Sequence, residues 1–264
     1  MIDELYVWQL LQDASRGRAD GLIRMDASGR WQIDTDTLAG GAREMLDTLG
    51  PVAGAGKRFV IGQLGQSLDG RIATVSGHSH YVTGNASRVH LHRLRALVDA
   101  VLVGAGTVAA DDPQLTVRHA EGRDPVRVVL DPNARLAADR KVFTDGAAST
   151  LHLTCTGAAH DAAAHVRHLA MPACADGLAP QAILAALADL GLNRVLIEGG
   201  GLTVSRFLAA GALDRLHVVV APMLIGSGRP AVTLAEIGTL DDALRPPCRS
   251  RPMGDDMFFD LALR

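Results

Sequence analysis

The chain has 264 residues, 48% of them hydrophobic and 21% charged, with a formal net charge of −3. That length holds one large α/β domain with a small extra piece, and the charge excludes a global attraction to nucleic acid or to an anionic membrane. No apolar run reaches the roughly 18 residues a bilayer span requires. Met1 to Gln12 carries Asp3 and Glu4 without a basic flank, unlike a signal peptide. Cys155, Cys174 and Cys248 are odd in number and widely spaced, which suits a reducing compartment and argues against a disulfide framework. The expectation is a soluble, cytoplasmic protein.

In chain order, Ile2 to Ala14 predicts a short helix with Leu5 and Trp8 on one face. Leu22–Met25 and Arg30–Ile33 flank Asp26-Ala27-Ser28-Gly29 and predict a hairpin. Thr37 to Leu49 predicts a second helix, weakened by Gly40-Gly41, and Gly50 to Gly56 reads as a small-residue linker. Both tryptophans lie in this piece, and large aromatics in a short segment serve to dock it on a neighbour. Residues 1–57 are therefore expected to be an appendage and linker without a catalytic motif, with residues 1–50 covering apolar surface and dispensable for hydride transfer. Residues 58–264 form the main domain.

From Phe59 strands and helices alternate. Phe59–Leu64, Ala100–Val103, Val126–Leu130, Thr150–Leu153, Arg194–Ile197 and Leu216–Val220 predict short buried strands, and Met257–Leu263 a closing one. Helices are expected from Asn85 to about Val98, from Gln181 to Leu190 and from Thr203 to Ala210, the last stopped by Gly211. Strands separated by helices imply a mostly parallel sheet with ligands at the strand ends.

Two glycine-rich turns follow predicted strands. Gly104-Ala105-Gly106-Thr107 matches a dinucleotide fingerprint, but Asp111-Asp112-Pro113 cuts its helix short of the about 10 residues a crossover needs. A tight turn without ligand remains the other reading. Glu198-Gly199-Gly200-Gly201 opens the helix near Thr203, where exposed N–H groups and the helix dipole suit a pyrophosphate. Ser67-Leu68-Asp69-Gly70-Arg71 reads as a turn. Arg88, His92 and Arg95 share a helix face, a pattern that is ordinarily solvated. The histidines at 78, 80, 90, 92, 160, 165 and 168 lack the spacing of a zinc site, so no metal is expected. No nucleophile elbow is present.

Taken together, SLDGRIA (67–73), SGHSHYVTG (76–84), VLVGAGTVAADDPQLTVR (101–118), VVLDPNARL (128–136), VLIEGGG (195–201) and APMLIGSG (221–228) resemble the reductase domain of the bacterial bifunctional riboflavin-biosynthesis deaminase/reductase. The likeness covers about residues 58 to 264. It implies a dihydrofolate-reductase-like α/β fold, a central mostly parallel sheet flanked by helices with a closing antiparallel strand. It further implies NADPH-dependent reduction of the ribose of a 5-amino-6-(5-phosphoribosylamino)uracil-like substrate to its ribityl form, and a homodimer. The alternative is a related NADPH reductase of a pterin or another ribosylated pyrimidine. A further one is a non-catalytic NADPH-binding module.

By the same resemblance, Ser79, Arg95, Leu115, Arg118 and Glu198 fall at the substrate. Gly65, Tyr81, Thr107, Asp111, Gly200, Gly201, Leu202, Thr203, Val204, Ser205 and Arg206 fall at NADPH, with Pro132 at a further cofactor position. Arg95 and Arg118 are expected to hold the phosphate, and Asp111 and Glu198 to line the reacting region as the catalytic acids. Tyr81 replaces a common tryptophan, and Gln63 stands where many members carry a lysine. Residues 1–57 hold no His-x-Glu or Cys-x-x-Cys pattern of a zinc deaminase.

Overall fold

The computed structural model describes residues 2–18, 38–56, 58–80, 82–155, 163–172 and 177–264, together with the backbone of 23–25 and 31–33. Tyr81, Cys174, His160 and the turn at 26–29 lie outside these residues.

The N-terminal piece forms α1 (Glu4–Ser15), β1 (Ile23–Met25), β2 (Trp31–Ile33) and α2 (Gly40–Ala53). The Asp3 carboxylate accepts the Tyr6 N–H and caps α1, and β1 pairs antiparallel with β2 as the hairpin expectation required. The supposed linker is mostly helix. α2 runs through Pro51 to Ala53, because Val52 and Ala53 are buried and their packing outweighs the missing N–H of the proline.

The remainder follows as β3 (Phe59–Ser67), β4 (Arg71–Thr74), α3 (Asn85–Leu97), β5 (Ala100–Gly104), α4 (Ala105–Asp111), β6 (Val126–Leu130), α5 (Lys141–Thr144) and β7 (Thr150–Thr154). Then come β8 (Val166–Ala170), α6 (Pro180–Asp189), β9 (Arg194–Ile197), α7 (Gly201–Ala209), β10 (Arg215–Ala221), β11 (Gly228–Pro230), β12 (Cys248–Met253) and β13 (Asp256–Ala262). One nine-stranded sheet runs in the order β12-β13-β10-β3-β9-β5-β6-β7-β8. From β10 to β8 every neighbouring pair is parallel, and β13 and β12 close the edge antiparallel. This is the expected α/β arrangement, a mostly parallel sheet with an antiparallel edge.

Side chains alternate across the sheet with period two. Ile61, Val101, Val103 and Leu196 face one way and pack with α3 through Leu94, Leu97 and Val98. Val7, Trp8, Leu10 and Leu11 of α1 and Met45, Leu46, Leu49 and Val52 of α2 belong to that same core. Val60, Leu64, Leu102, Val195 and Ile197 face the other way, against Ile183, Leu184 and Leu187 of α6 and Val204 and Phe207 of α7. The N-terminal helices are thus an outer layer over α3 on one face of the sheet. Because the strands from β10 to β8 run parallel, the carboxyl ends of β3, β9 and β5 lie side by side, and Gly200 after β9 meets Thr107 after β5 there.

Candidate active site

β5 and β9 are parallel neighbours, so the two glycine turns that leave them meet. The Gly200 N–H donates to Thr107 Oγ1 at 2.9 Å. Gly199 has a φ of +83°, and a Cβ there would lie 2.7 Å from Thr107 Oγ1, so only glycine fits. In return, a Cβ on Gly104 would lie 2.7 Å from Thr203 Oγ1. α4 has seven residues, which is why the first turn cannot open a Rossmann crossover. It nonetheless serves the site, since Thr107 and Asp111 stand four apart on it. Thr107 holds the second glycine turn, and Asp111 Oδ1 accepts the Ser79 hydroxyl at 3.1 Å.

At the start of α7, Gly200 is the N-cap residue and no side chain caps the helix. The Thr203 N–H turns back to the Gly200 carbonyl at 3.0 Å, and the Gly201 and Leu202 N–H groups of the first turn are left for a ligand or solvent. A Cβ on Gly200 would meet Thr107 Oγ1 at 3.4 Å, whereas one on Gly201 would strike the Pro230 and Ala231 carbonyls. Gly200 therefore has room for a side chain and Gly201 is packed shut behind it. Along Gly200 to Arg206, Leu202 is exposed, Val204 is in the core, and the buried Ser205 hydroxyl accepts the Thr233 N–H at 2.8 Å. Arg206 donates to the Leu178 carbonyl at 3.1 Å. Side chains of Val204 and Ser205 are thus committed to packing, and a cofactor would meet the backbone of this stretch. These features fit a pyrophosphate: uncapped helix N–H groups beside a turn without side chains. Elsewhere, Gly65 of β3 is covered by Thr83, whose Cγ2 would lie 2.9 Å from a Cβ there. The Pro132 carbonyl accepts the Cys155 N–H at 2.9 Å.

The basic face of α3 departs from the solvated pattern. His92 and Arg95 are buried, and Arg88 alone of the three is exposed. Arg95 donates from Nε and Nη2 to the two Glu198 oxygens, both at 2.7 Å, and from Nη1 to the Thr116 carbonyl at 2.9 Å. Burial opposes the Arg95 charge, but Glu198 beside it outweighs that and holds its pKa above the ordinary value. The expected arrangement of Arg95 and Arg118 as twin donors to one phosphate differs from this geometry. Arg95 faces Glu198, and the Arg118 guanidinium turns to Thr116 Oγ1 instead. Glu198, with both oxygens engaged, positions Arg95 and the 112–118 loop.

That loop is strained. Asp112 and Leu115 adopt φ of +41° and +57°, and Leu115 is 2% exposed. A bulky residue in the left-handed region costs about 1–3 kcal/mol and persists where surrounding contacts impose it. Those contacts are Arg95 on Thr116 and His92 Nδ1, which accepts the Arg118 N–H at 2.9 Å. Burial, then the neighbouring Arg95 and Arg118 charges, push the His92 pKa down to about 3, so the ring is neutral and Nδ1 is free to accept. The exposed Arg118 guanidinium donates to Thr116 Oγ1 at 2.7 Å. Partial burial and the Arg95 charge make the environment of Arg118 unfavourable to a cation, a field that an anion would relieve.

His92, Thr116 and Thr83 were not singled out from sequence as site residues. Only the shared face of His92 and Arg95 gave a signal. Gln63 is buried on β3, in register with His217 of β10. Nearby, His90 and His217 approach at 3.0 Å, His217 lies 3.3 Å from Asp260, and Arg215 pairs with Asp260. Among the described residues no three His, Cys, Asp or Glu side chains gather as a metal site.

Residues 58–247 match the model of the RibD C-terminal domain. The Riboflavin biosynthesis protein RibD of Mycobacterium tuberculosis is 35% identical over 75% of this chain, and the match spans about half, 52%, of that relative. The 2,5-diamino-6-ribosylamino-4(3H)-pyrimidinone 5′-phosphate reductase of Methanothermobacter thermautotrophicus is 34% identical over 78% of this chain and 98% of its own length. Among solved structures, the deaminase/5-amino-6-(5-phosphoribosylamino)uracil reductase of Thermotoga maritima aligns with a TM-score of 0.69 and 26% identity, over 84% of this chain and 61% of that one. RibD of Acinetobacter baumannii aligns at 0.68 and 28%, over 84% and 62%. On its matched residues and its fold, the chain belongs to the RibD C-terminal domain family.

Proposed function

We propose that this protein is an oxidoreductase that uses NADPH to reduce the ribose of a phosphoribosylamino-pyrimidine to its ribityl form, a step of riboflavin biosynthesis. The observation that carries the reading is the convergence at the strand ends. The Gly199–Gly201 turn, the Ser79–Asp111 pair and the Arg95-supported Arg118 loop come from distant parts of the chain and are linked through α4 and the Glu198–Arg95 pair. The near full-length match to a relative named as a reductase of such a pyrimidine supports it.

In this reading NADPH supplies a hydride to the sugar carbon. Gly200, Gly201 and the first turn of α7 bind its pyrophosphate, and Thr107 fixes that turn from behind. Arg118 binds the substrate phosphate, and Ser79 and Asp111 orient the sugar, with Asp111 Oδ placed to hold or pass a proton. Leu115 closes the floor of the loop. Glu198 and Arg95 act through the loop they hold. The test is NADPH oxidation with 5-amino-6-(5-phosphoribosylamino)uracil, its 2-amino-pyrimidinone counterpart and the dephosphorylated form of each. Turnover on a phosphorylated form, lost in Asp111→Asn, is expected. NADPH binding without turnover on any of them would leave a binding module instead.

A second substrate remains open on one observation. Gln63 presents a neutral amide on the buried face of β3 where an ammonium would carry charge, and a pterin or another ribosylated pyrimidine in the same assay would report it.

A homodimer completes the reading. From Met223 to Leu244 the chain is largely exposed, with Leu224 and Leu240 at 75% exposure and Leu244 at 64%. Apolar surface on this scale marks an interaction site, and a second copy presenting the same segment would cover it by two-fold symmetry.

A further inference from the structure

The loop that carries Arg118 is held on one side by residues of the reductase domain. On the other it is held by the N-terminal helix, which lies outside the matched family segment. Beyond Arg118 the chain runs through His119 to Arg123 without regular structure and largely exposed before entering β6. Such a segment is disordered by default unless something fixes it.

Two sets of contacts fix it. From α3, His92 accepts the Arg118 N–H and its ring meets His119 edge-on at 4.7 Å. Gly122, at φ +151°, lies so close to Ala96 that a Cβ would strike the alanine methyl. From α1, Trp8 Nε1 donates to the Glu121 carbonyl at 3.2 Å. The buried Gln12 sits beside Gly122, its Oε1 3.6 Å from where a Cβ would be. The indole is itself fixed. It is 6% exposed, the Arg93 guanidinium of α3 lies 5.9 Å over its ring, and Arg93 pairs with Glu4 of α1 at 3.8 Å. The Asp124 carboxylate accepts the Val117 N–H at 2.6 Å and draws the loop closed across its base. Arg118 therefore sits in a short closed loop whose far side rests on the α1 tryptophan.

We propose that α1 is a positioning element of the substrate site, with Trp8 holding the Val117–Asp124 loop so that the Arg118 guanidinium stands at a fixed place for the substrate anion. Trp8 touches neither substrate nor cofactor. It acts through the loop by removing conformers of Arg118 that would otherwise have to be ordered on binding. The expectation that residues 1–50 are dispensable for hydride transfer concerns kcat, and this role of α1 is read in KM. The role of Arg118 toward the phosphate rests on the proposed function, and the role of Trp8 in ordering the loop does not.

Trp8→Phe removes the N–H and keeps an aromatic body over the core, so the fold is retained. Loss of one neutral hydrogen bond corresponds to about a two- to tenfold effect on an equilibrium. The variant should raise KM for the phosphorylated pyrimidine by about that factor, change kcat far less, and leave KM for the dephosphorylated analogue unchanged. In an Arg118→Ala background the same substitution should have no effect on KM. Amide hydrogen exchange at residues 117–123, measured without substrate, should accelerate in Trp8→Phe by a similar factor while exchange in β5 and β9 is unchanged. Unchanged exchange at 117–123 overturns the proposal whatever the kinetics, and so does an equal KM rise with and without Arg118. If Arg118→Ala fails to discriminate the two substrates, the phosphate role falls, and the exchange measurement still decides whether α1 orders the loop. Gly122→Ala is the second perturbation, forcing the same loop away from Ala96. It should reproduce the KM rise and the faster exchange, and its failure to do either counts against the proposal.

Discussion

Glu198→Gln is the sharpest probe of how this site is built. Arg95 and Glu198 are 8% and 6% exposed at their side chains and share two hydrogen bonds of 2.7 Å. The glutamine keeps the shape and one acceptor but leaves the guanidinium charge buried and unpaired. Breaking a buried pair from one side costs about 3–5 kcal/mol. At roughly 2–4 °C per kcal/mol for a chain approaching this size, Tm should fall by about 6–20 °C. Arg95→Ala should destabilise comparably, since it strands Glu198 and drops the Thr116 carbonyl as well. The double replacement Arg95→Met with Glu198→Leu should recover most of the loss, because a well-packed apolar pair often matches a buried ion pair. Thermal and urea denaturation, run on the singles and the double, read all three. The reasoning would be refuted by singles within about 1 kcal/mol of the parent. An Arg95→Ala loss of kcat/KM confined to the phosphorylated substrate would instead return Arg95 to the phosphate clamp expected from sequence.

Three further outcomes follow from particular contacts. Gly200→Val places a branched side chain where the turn has room for one and meets only Thr107 Oγ1 at 3.4 Å. It should keep the circular dichroism spectrum and lose NADPH affinity in a fluorescence titration, and unchanged affinity would move the cofactor away from α7. His90 and His217 are buried, and burial holds their pKa values below the usual 6.5, reinforced at His90 by neighbouring cations and opposed at His217 by the hydrogen bond and charge of Asp260. The unfolded chain takes up these protons first as pH falls. Stability is therefore full above about pH 6.5 and declines as pH falls below it, by up to about 1.4 kcal/mol per pH unit for a histidine that stays neutral in the folded state. Urea midpoints that stay level between pH 7.5 and 5 would contradict this. Leu240→Asp with Leu244→Asp should convert a dimer to a monomer by light scattering at micromolar concentration, and a monomeric parent protein would remove the dimer altogether.

The parts of the fold that were legible share one physical trait. β3, β5, β6, β7, β9 and β10 lie inside a parallel sheet covered on both faces, so they read as continuous apolar runs. β4, β8, β11 and β12 went unread because RIAT, VRHLA, GRP and CRSRPM have too little apolar content, or a proline, to signal a strand. Their pairing is imposed by neighbours. The site divides the same way. The Gly199–Gly201 turn was visible as a candidate because its special residues are local, whereas Asp111 was singled out only through the family resemblance. The partner of Arg95 was not, since Glu198 stands about a hundred positions away and only the fold brings it under α3. For the same reason Arg88, His92 and Arg95 looked like one solvated stripe when two of them are interior. The helix that ends at Ala53 was hidden by Pro51 and its flanking glycines, whose local preference yields to the burial of Val52.

The place of β3 in the sheet has a consequence for synthesis on the ribosome. This strand is flanked by β9 and β10, and roughly 125 residues separate its end from the start of β9. At elongation rates of about 5–20 residues per second, some 6–25 s pass before either neighbour exists. During that interval an apolar strand with both edges unpaired is open to wrong partners. α1 and α2 have already emerged by then, and Leu11, Leu49 and Val52 belong to the same cluster as Ile61. The N-terminal layer is thus the first native surface on which β3 can rest, and slowing translation between residues 70 and 190 should raise the aggregated fraction most when that layer is weakened.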